Sequence, residues 1–216
     1  MSKTFLSIIV LSALVVPSLG LQAVAPFDGK FSALDAGHGG SETGAVNTTY
    51  NLLEKDVNLA VVKALQAQLE TAGATVVLTR EGDETIPTRR ERIEIAKAKC
   101  EALGKECDVL VSVHHNGSSN PATDGTLVIY NEKQDKPLAQ ALLNSLVAKL
   151  GTQNLGLENG GFGITVFGHL ISALTEGYFL TNNWEAEQYL FGTRKADEVQ
   201  AIFDGLASYF SNPPKK

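Results

Sequence analysis

The chain has little of what marks membrane, nucleic-acid-binding or disulfide-rich proteins. Its 216 residues include two cysteines and one tryptophan, and the formal net charge is −6. An acidic chain is not drawn to the polyanionic backbone of nucleic acids. No apolar run reaches the roughly 20 residues that a membrane-spanning helix needs, and there is no internal repeat or low-complexity tract. The remaining composition, 44% hydrophobic, is that of one ordinary globular domain.

The amino terminus has the three-part layout of a secretory signal peptide. Lys3 precedes an apolar run over residues 5–16, and small residues that include Ala23 and Ala25 follow. We expect cleavage after Ala25, with Gly20 and Ala23 as alternative sites. No cysteine lies there to carry a lipid anchor.

The chain therefore divides into a signal peptide over residues 1–25, one folded domain over 26–211 and a flexible tail over 212–216. An exported protein of this kind would act in the periplasm or outside the cell. In that oxidising setting, Cys100 and Cys107, which lie close together in the sequence, favour a small disulfide over a metal site. Two buried free thiols are the alternative.

Strand-like and helix-like spacings of apolar residues alternate along the chain. Gly-rich or Asn-rich segments at 36–51 and 155–163 are predicted as loops. This alternation predicts an α/β fold: a single domain with a central mixed, mostly parallel sheet flanked by helices on both faces. The predicted strands cover residues 31–35, 74–79, 109–113, 126–130, 164–167 and 170–175, and the predicted helices cover 54–72, 87–99, 138–150 and 194–210.

Three side chains in this pattern are candidate metal ligands. His38 follows the first strand between glycines, Glu54 opens the first helix, and the strand over 109–113 ends at His114 and His115. Sites in open α/β sheets form at the carboxyl ends of strands. Two imidazoles and one carboxylate, with a position left for water, are the ligand set of a catalytic zinc ion. Since side chains alternate across a sheet, only one of His114 and His115 can readily join His38 and Glu54.

Several segments occur in one order and carry a resemblance to a known family. Over about residues 31–211 the chain resembles the zinc-dependent N-acetylmuramoyl-L-alanine amidases, which cut stem peptides from the glycan of peptidoglycan. The family pattern usually has a small residue after the strand-end histidine, where this chain has His115. The matching segments are Asp35-Ala-Gly-His-Gly-Gly40, Glu54-Lys55-Asp56, Arg92-Ile-Glu-Ile-Ala96, Ser112-Val-His-His-Asn116 and Glu176-Gly-Tyr-Phe-Leu-Thr-Asn182.

The resemblance implies a role for each matching position. His38, Glu54 and His114 would bind one zinc ion per chain, since the pattern places the second histidine ligand two residues after the serine. Glu176 would be the catalytic carboxylate, first as general base and then as general acid. His115 would then be a hydrogen-bonded histidine at the rim of the site, with substrate contact as the alternative.

Four other residues have two readings each. Arg92 is expected in a structural salt bridge, with substrate binding as the alternative. Asn116 and Asn182 follow the two site strands, so they are candidates either for binding substrate amides or for stabilising turns. His169 precedes the strand that leads to Glu176, and is either a satisfied structural histidine or a group that orients water or substrate.

The implied reaction is hydrolysis of the amide between the lactyl group of N-acetylmuramic acid and L-alanine. A zinc peptidase or deacylase that acts on another envelope amide is a second hypothesis, and an inactive peptidoglycan-binding module is a third. Glu176 argues against the third, because a binding module needs no base. We expect a monomer whose partner is peptidoglycan or a muropeptide, with no nucleic acid and no membrane once the signal is removed.

Overall fold

The computed structural model describes residues 26–160 and 169–213. The proposed signal peptide over 1–25, the strand expected at 164–167 and the last three residues of the tail lie outside the described residues. Within the described ranges, no helix combines the length and the apolar character of a membrane span.

The domain consists of eight strands and five helices in the described part of the chain. The strands are β1 (Phe31–Ala36), β2 (Val46–Asn47), β3 (Leu52–Leu53), β4 (Thr75–Leu78), β5 (Val109–Asn116), β6 (Thr126–Tyr130), β7 (Asn154–Asn159) and β8 (Ser172–Phe179). The helices are α1 (Glu54–Thr71), α2 (Arg89–Ala102), α3 (Lys136–Leu150), α4 (Asn183–Phe191) and α5 (Arg194–Ser211).

Six of the strands form one mixed sheet in the order β4-β1-β5-β8-β6-β7. Strand β1 lies parallel to β4 and β5, and β5 lies parallel to β8. Strand β6 runs antiparallel to β8 and parallel to β7. The predicted α/β fold with a mixed, mostly parallel sheet is therefore confirmed, and β1, β5 and β8 bring their carboxyl ends to one edge.

Helices cover both faces of this sheet, as predicted. Val111 and Val113 of β5 point into the larger core, which α1, α3 and α5 cover. Leu110, one position earlier, points to the opposite face and into a smaller core beneath α2. A disulfide between Cys100 and Cys107 joins the last turn of α2 to the start of β5 within this smaller core.

The structure corrects the prediction in four places. Residues 154–159, most of which were expected in a loop, form the edge strand β7, which its backbone pairing with β6 holds although its side chains are largely exposed. The expected loop over 36–51 contains β2, and the sequence pattern missed α4. Helix α2 begins at Arg89 rather than at 87, because Thr88 caps it in a capping box with Glu91.

Candidate metal centre and active site

One loop, one helix terminus and one strand bring His38, Glu54 and His114 together. The Nε2 atom of His38 lies 3.2 Å from Oε1 of Glu54, and Nδ1 of His114 lies 3.0 Å from the same oxygen. Each residue offers a ligand atom, and these atoms all lie within 4.8 Å of one another. His38 sits in the loop after β1, Glu54 begins α1, and His114 is near the end of β5.

Two glycines leave the space that this cluster needs. A Cβ atom at Gly37 would lie 2.2 Å from the ring of His114. At Gly44, where φ is +66°, a Cβ atom would lie 2.3 Å from Oε2 of Glu54 and 2.6 Å from the ring of His38. The glycine-rich loop therefore lets backbone approach all three side chains closely.

Hydrogen bonds from neighbouring groups orient the carboxylate of Glu54. Its Oε2 atom accepts from the backbone N–H of Ala45 at 2.7 Å. Its Oε1 atom accepts from Nδ2 of Asn58 at 3.2 Å and from the backbone N–H of His115 at 3.1 Å. Burial by itself raises the pKa of Glu54, but hydrogen bonds from His114 and His38 outweigh it and hold that pKa well below its ordinary value. Glu54 is therefore an ionised carboxylate held in a fixed position, as a metal ligand would need to be.

The donor set fits a zinc ion. Ligands bound tetrahedrally at about 2.0–2.2 Å from one zinc ion are roughly 3.3–3.6 Å apart, and the two spacings to Glu54 Oε1 are 3.2 and 3.0 Å. Imidazole nitrogens together with one carboxylate suit zinc, and three protein ligands leave a position for water. The side chains of His38 and His114 are partly exposed, so this position faces solvent.

The structure distinguishes the two adjacent histidines. His114 shares the face of β5 that carries Ser112, and both line the site cavity. His115 lies on the opposite face and is 1% exposed. The expectation that His115 lies at the rim was wrong, because the strand persists through Asn116 and turns the ring into the core between α1 and α5.

Glu176 lies beside this cluster on β8. It is paired with His114 in the sheet register, and both line a cavity of about 560 Å³ together with His38. Its Oε2 atom is buried and has no hydrogen-bond partner among the described residues. Burial first, and then the negative charge of Glu54, raises the pKa of Glu176 well above its ordinary value. A carboxyl group with a raised pKa beside a metal site suits proton transfer near neutral pH.

Arg92, which lines the cavity, forms the expected structural salt bridge. One guanidinium nitrogen lies 2.9 Å from Oδ1 of Asp35, and both side chains are buried. Arg92 also donates to the backbone carbonyls of Ala36 and His38, at 2.9 and 2.8 Å. Since His38 has a φ of +60°, these bonds help to hold its loop in an unfavourable conformation.

Sequence reasoning missed Arg80, which holds the same loop from the other side. Its guanidinium donates to the backbone carbonyls of Ala36, Gly37 and Lys55. Arg80 follows β4 at the carboxyl edge of the sheet. Its position directly after a predicted strand is the sequence feature that could have identified it as a residue of the site. The site is thus supported by two buried guanidiniums.

Replacing Asp35 by asparagine is expected to destabilise the protein by about 3–5 kcal/mol at neutral pH, because Arg92 would remain buried without its counter-charge. Burial alone would raise the pKa of Asp35, but Arg92 and hydrogen bonds from Ser112 and Thr79 lower it below its ordinary value of 3.8. A lowered pKa stabilises the fold at pH values above 3.8 and this contribution is lost as the pH falls through the folded-state pKa.

Urea unfolding of the parent and Asp35→Asn proteins between pH 5 and pH 8 measures this difference. It should be nearly constant across that range and shrink in more acidic solution. A loss below about 1 kcal/mol at pH 7, the level of an exposed ion pair, would contradict a buried, structural pair.

The three weaker candidates for substrate contact lie outside the cluster. Asn116 Oδ1 accepts from the N–H of Gly117, and Asn182 caps α4 by accepting from the N–H of Trp184. Their hydrogen bonds are those of turn and cap residues. His169 precedes β8 at the opposite end of the sheet, where its side chain is 92% exposed and lies 3.6 Å from Glu132. The structure does not bring His169 to the metal centre.

Comparisons with known proteins agree with this geometry. The sequence pattern of the family described as N-acetylmuramoyl-L-alanine amidase matches residues 33–208. The chain is 31% identical over 189 residues to the N-acetylmuramoyl-L-alanine amidase LytC of Bacillus subtilis, covering 86% of this chain and 36% of LytC. It is 30% identical over 187 residues to the probable cell wall amidase LytH of Staphylococcus aureus, covering 86% of this chain and 60% of LytH.

A solved structure is also similar. The N-acetylmuramoyl-L-alanine amidase of Clostridium difficile 630 superposes with a TM-score of 0.77 at 27% identity, covering 86% of this chain and 98% of that one. This chain therefore matches nearly the whole of a solved amidase structure, whereas it spans about a third of LytC and under two thirds of LytH.

Proposed function

This chain belongs to the N-acetylmuramoyl-L-alanine amidase family, and on that premise we propose that it hydrolyses the amide between N-acetylmuramic acid and the L-alanine of peptidoglycan stem peptides. The observation that carries the proposal is the position of Glu176 beside His38, Glu54 and His114 in one open cavity. A water-accessible metal ligand set with an adjacent carboxyl group of raised pKa suits hydrolysis better than binding alone.

We propose that His38, Glu54 and His114 hold one zinc ion per chain. When bound, zinc supplies a Lewis acid that polarises the scissile carbonyl and makes water nucleophilic at near-neutral pH. Gly37 and Gly44 keep the ligands close together, and Arg80 and Arg92 hold the His38 loop.

Glu176 performs the proton transfers in this proposal. As the carbon–oxygen bond to water forms, the carboxylate of Glu176 takes a proton from that water. As the carbon–nitrogen bond breaks, the same group delivers the proton to the departing amine of L-alanine. The uncommitted Oε2 atom of Glu176 is available for both steps, because it makes no hydrogen bond within the described residues.

We further propose that the protein acts in the periplasm or outside the cell. The support is the signal-peptide pattern of residues 1–25 and the description of LytH as a probable cell wall amidase. Its substrate would then be peptidoglycan or a released muropeptide, bound by a monomer.

Purified peptidoglycan incubated with the zinc-loaded protein tests the function. We expect stem peptides with a free L-alanine amino terminus, identified by mass spectrometry, and no new reducing ends of the glycan. Exhaustive chelation should abolish the release and added zinc should restore it. Each of three other outcomes would refute the amidase proposal. Cuts within the stem peptide would indicate a peptidase, loss of acyl groups would indicate a deacylase, and binding without release would indicate an inactive binding module.

A further inference from the structure

A line of buried polar side chains runs from α5 to the proposed metal ligand Glu54. Oε2 of Glu198 lies 3.0 Å from Nε2 of His115, and Nδ1 of the same ring lies 2.7 Å from Oδ1 of Asn58. Nδ2 of Asn58 donates to Oε1 of Glu54 at 3.2 Å. Asn58 and Glu198 are 0% exposed and His115 is 1% exposed, and the three distances are those of direct hydrogen bonds. We call Glu198, His115 and Asn58 the buried polar triad.

Hydrogen-bond chemistry determines which atoms of the buried polar triad donate and which accept. Nδ2 of Asn58 faces the carbonyl of Gly37 at 3.1 Å as well as Glu54, and both of these groups only accept. Oδ1 of Asn58 therefore faces His115, and since an amide oxygen only accepts, Nδ1 of His115 must carry a hydrogen. Nε2 is then left for Glu198. This arrangement is the same whether the proton between His115 and Glu198 lies on the ring or on the carboxyl group.

Packing around Glu198 indicates that the fold accommodates this carboxyl group at a cost. A Cβ atom at Gly177 would lie 2.7 Å from Oε1 of Glu198, so only glycine fits there without rearrangement. That same oxygen is buried without a hydrogen-bond partner among the described residues. The His115 ring also packs on Tyr178, with ring centroids 4.4 Å apart. Hydrophobic side chains of similar volume are often at least as stabilising at such a position, so packing alone does not explain the pair.

We propose that Glu198 and His115 are positioning residues, which fix the amide of Asn58 so that Glu54 is presented to the metal. Without the hydrogen bond from His115, the side-chain amide of Asn58 can rotate, and its hydrogen bond to Glu54 Oε1 is then lost. The usual pattern of the family has a small residue where this chain has His115. The inference rests on the proposed function only in that the ion held by Glu54 is the zinc of the amidase site.

The test measures zinc affinity, by competition with a chromogenic chelator, in the double variant His115→Phe/Glu198→Leu. Replacing both partners by apolar groups of similar shape removes the hydrogen bond to Asn58 without leaving a buried charge. We expect a protein that unfolds as cooperatively as the parent and binds zinc about 10- to 100-fold more weakly, the usual effect of losing an outer-shell partner of a ligand.

A second buried pair provides the matched control. Arg194 and Glu185 are joined at 2.7 Å and are similarly buried, and the hydrogen bonds of Arg194 go to Glu185 and to the carbonyl of Leu150. The double variant Arg194→Met/Glu185→Leu should keep zinc affinity within about threefold of the parent, well below the 10- to 100-fold loss expected when the buried polar triad is disrupted. Glu198→Gln should also stay near the parent, because its amide can donate to Nε2 and leave the hydrogen of His115 on Nδ1.

The proposal is wrong if the folded His115→Phe/Glu198→Leu protein binds zinc within threefold of the parent. It is also wrong if the control variant loses zinc affinity to the same extent. Should the double variant not fold, Glu198→Leu compared with Glu198→Gln decides, since equal affinities refute positioning and a weaker Leu variant supports it. Stem-peptide release is measured separately. A parent that binds zinc but releases no stem peptides refutes the proposed reaction, while the affinity comparison still judges the positioning.

Discussion

The His114→Ala protein is expected to lose bound zinc and stem-peptide release together. Nδ1 of His114 lies 3.0 Å from Glu54 Oε1 and is one of three candidate ligand atoms. Removing one of three protein ligands leaves two, which is fewer than any ordinary catalytic zinc site has. Metal analysis after gel filtration in zinc-free buffer should show about one zinc per chain for the parent and none above background for the variant.

His169→Ala is the matched control for this experiment. It removes the same type of side chain from an exposed position at the opposite end of the sheet. Zinc content and hydrolysis should both remain at the level of the parent. A full complement of zinc in the His114→Ala protein would show that another residue is the third ligand, and loss of zinc in the His169→Ala protein would refute the placement of the site.

The sequence predicted those features of the fold that local patterns determine. Apolar runs such as residues 109–113 and 126–130 became β5 and β6, and the helical spacing after Glu54 became α1. The same patterns placed His38, Glu54 and His114 at the carboxyl ends of strands or at a helix start, where a parallel sheet brings them together. Period and position therefore predicted a cluster of His38, Glu54 and one of the two adjacent histidines, and the resemblance to the amidases selected His114.

Other features depended on partners that are distant in the sequence. The edge strand β7 pairs through its backbone with β6, and its side chains are largely exposed, so no buried face marks it as a strand. His115 became a core residue only because Glu198 and Asn58 meet it from α5 and α1. His169 is close to Glu176 in sequence, but it precedes the first residue of β8, whereas Glu176 is the fifth residue of that strand and is paired with His114. No local pattern reports such contacts.

Glu176→Gln is expected to fold, to bind zinc and to lose hydrolysis. Glutamine keeps the shape of the side chain and removes its basicity, and Glu176 makes none of the hydrogen bonds that hold Glu54. Loss of a general base typically lowers the rate by about 100- to 10,000-fold. We therefore expect unchanged zinc content and stem-peptide release at most about one hundredth of the parent rate.

The matched control is Glu42→Gln, since Glu42 is a second acidic residue that lines the same cavity and is exposed. If one specific carboxyl group beside His114 transfers the proton, Glu42→Gln should stay within a few fold of the parent while Glu176→Gln does not. Of these two residues, only Glu176 combines a register position next to His114 with a buried carboxyl oxygen and a raised pKa. Hydrolysis by Glu176→Gln within a few fold of the parent would assign the base to another group, and equal losses in both variants would point to the charge of the cavity instead of proton transfer.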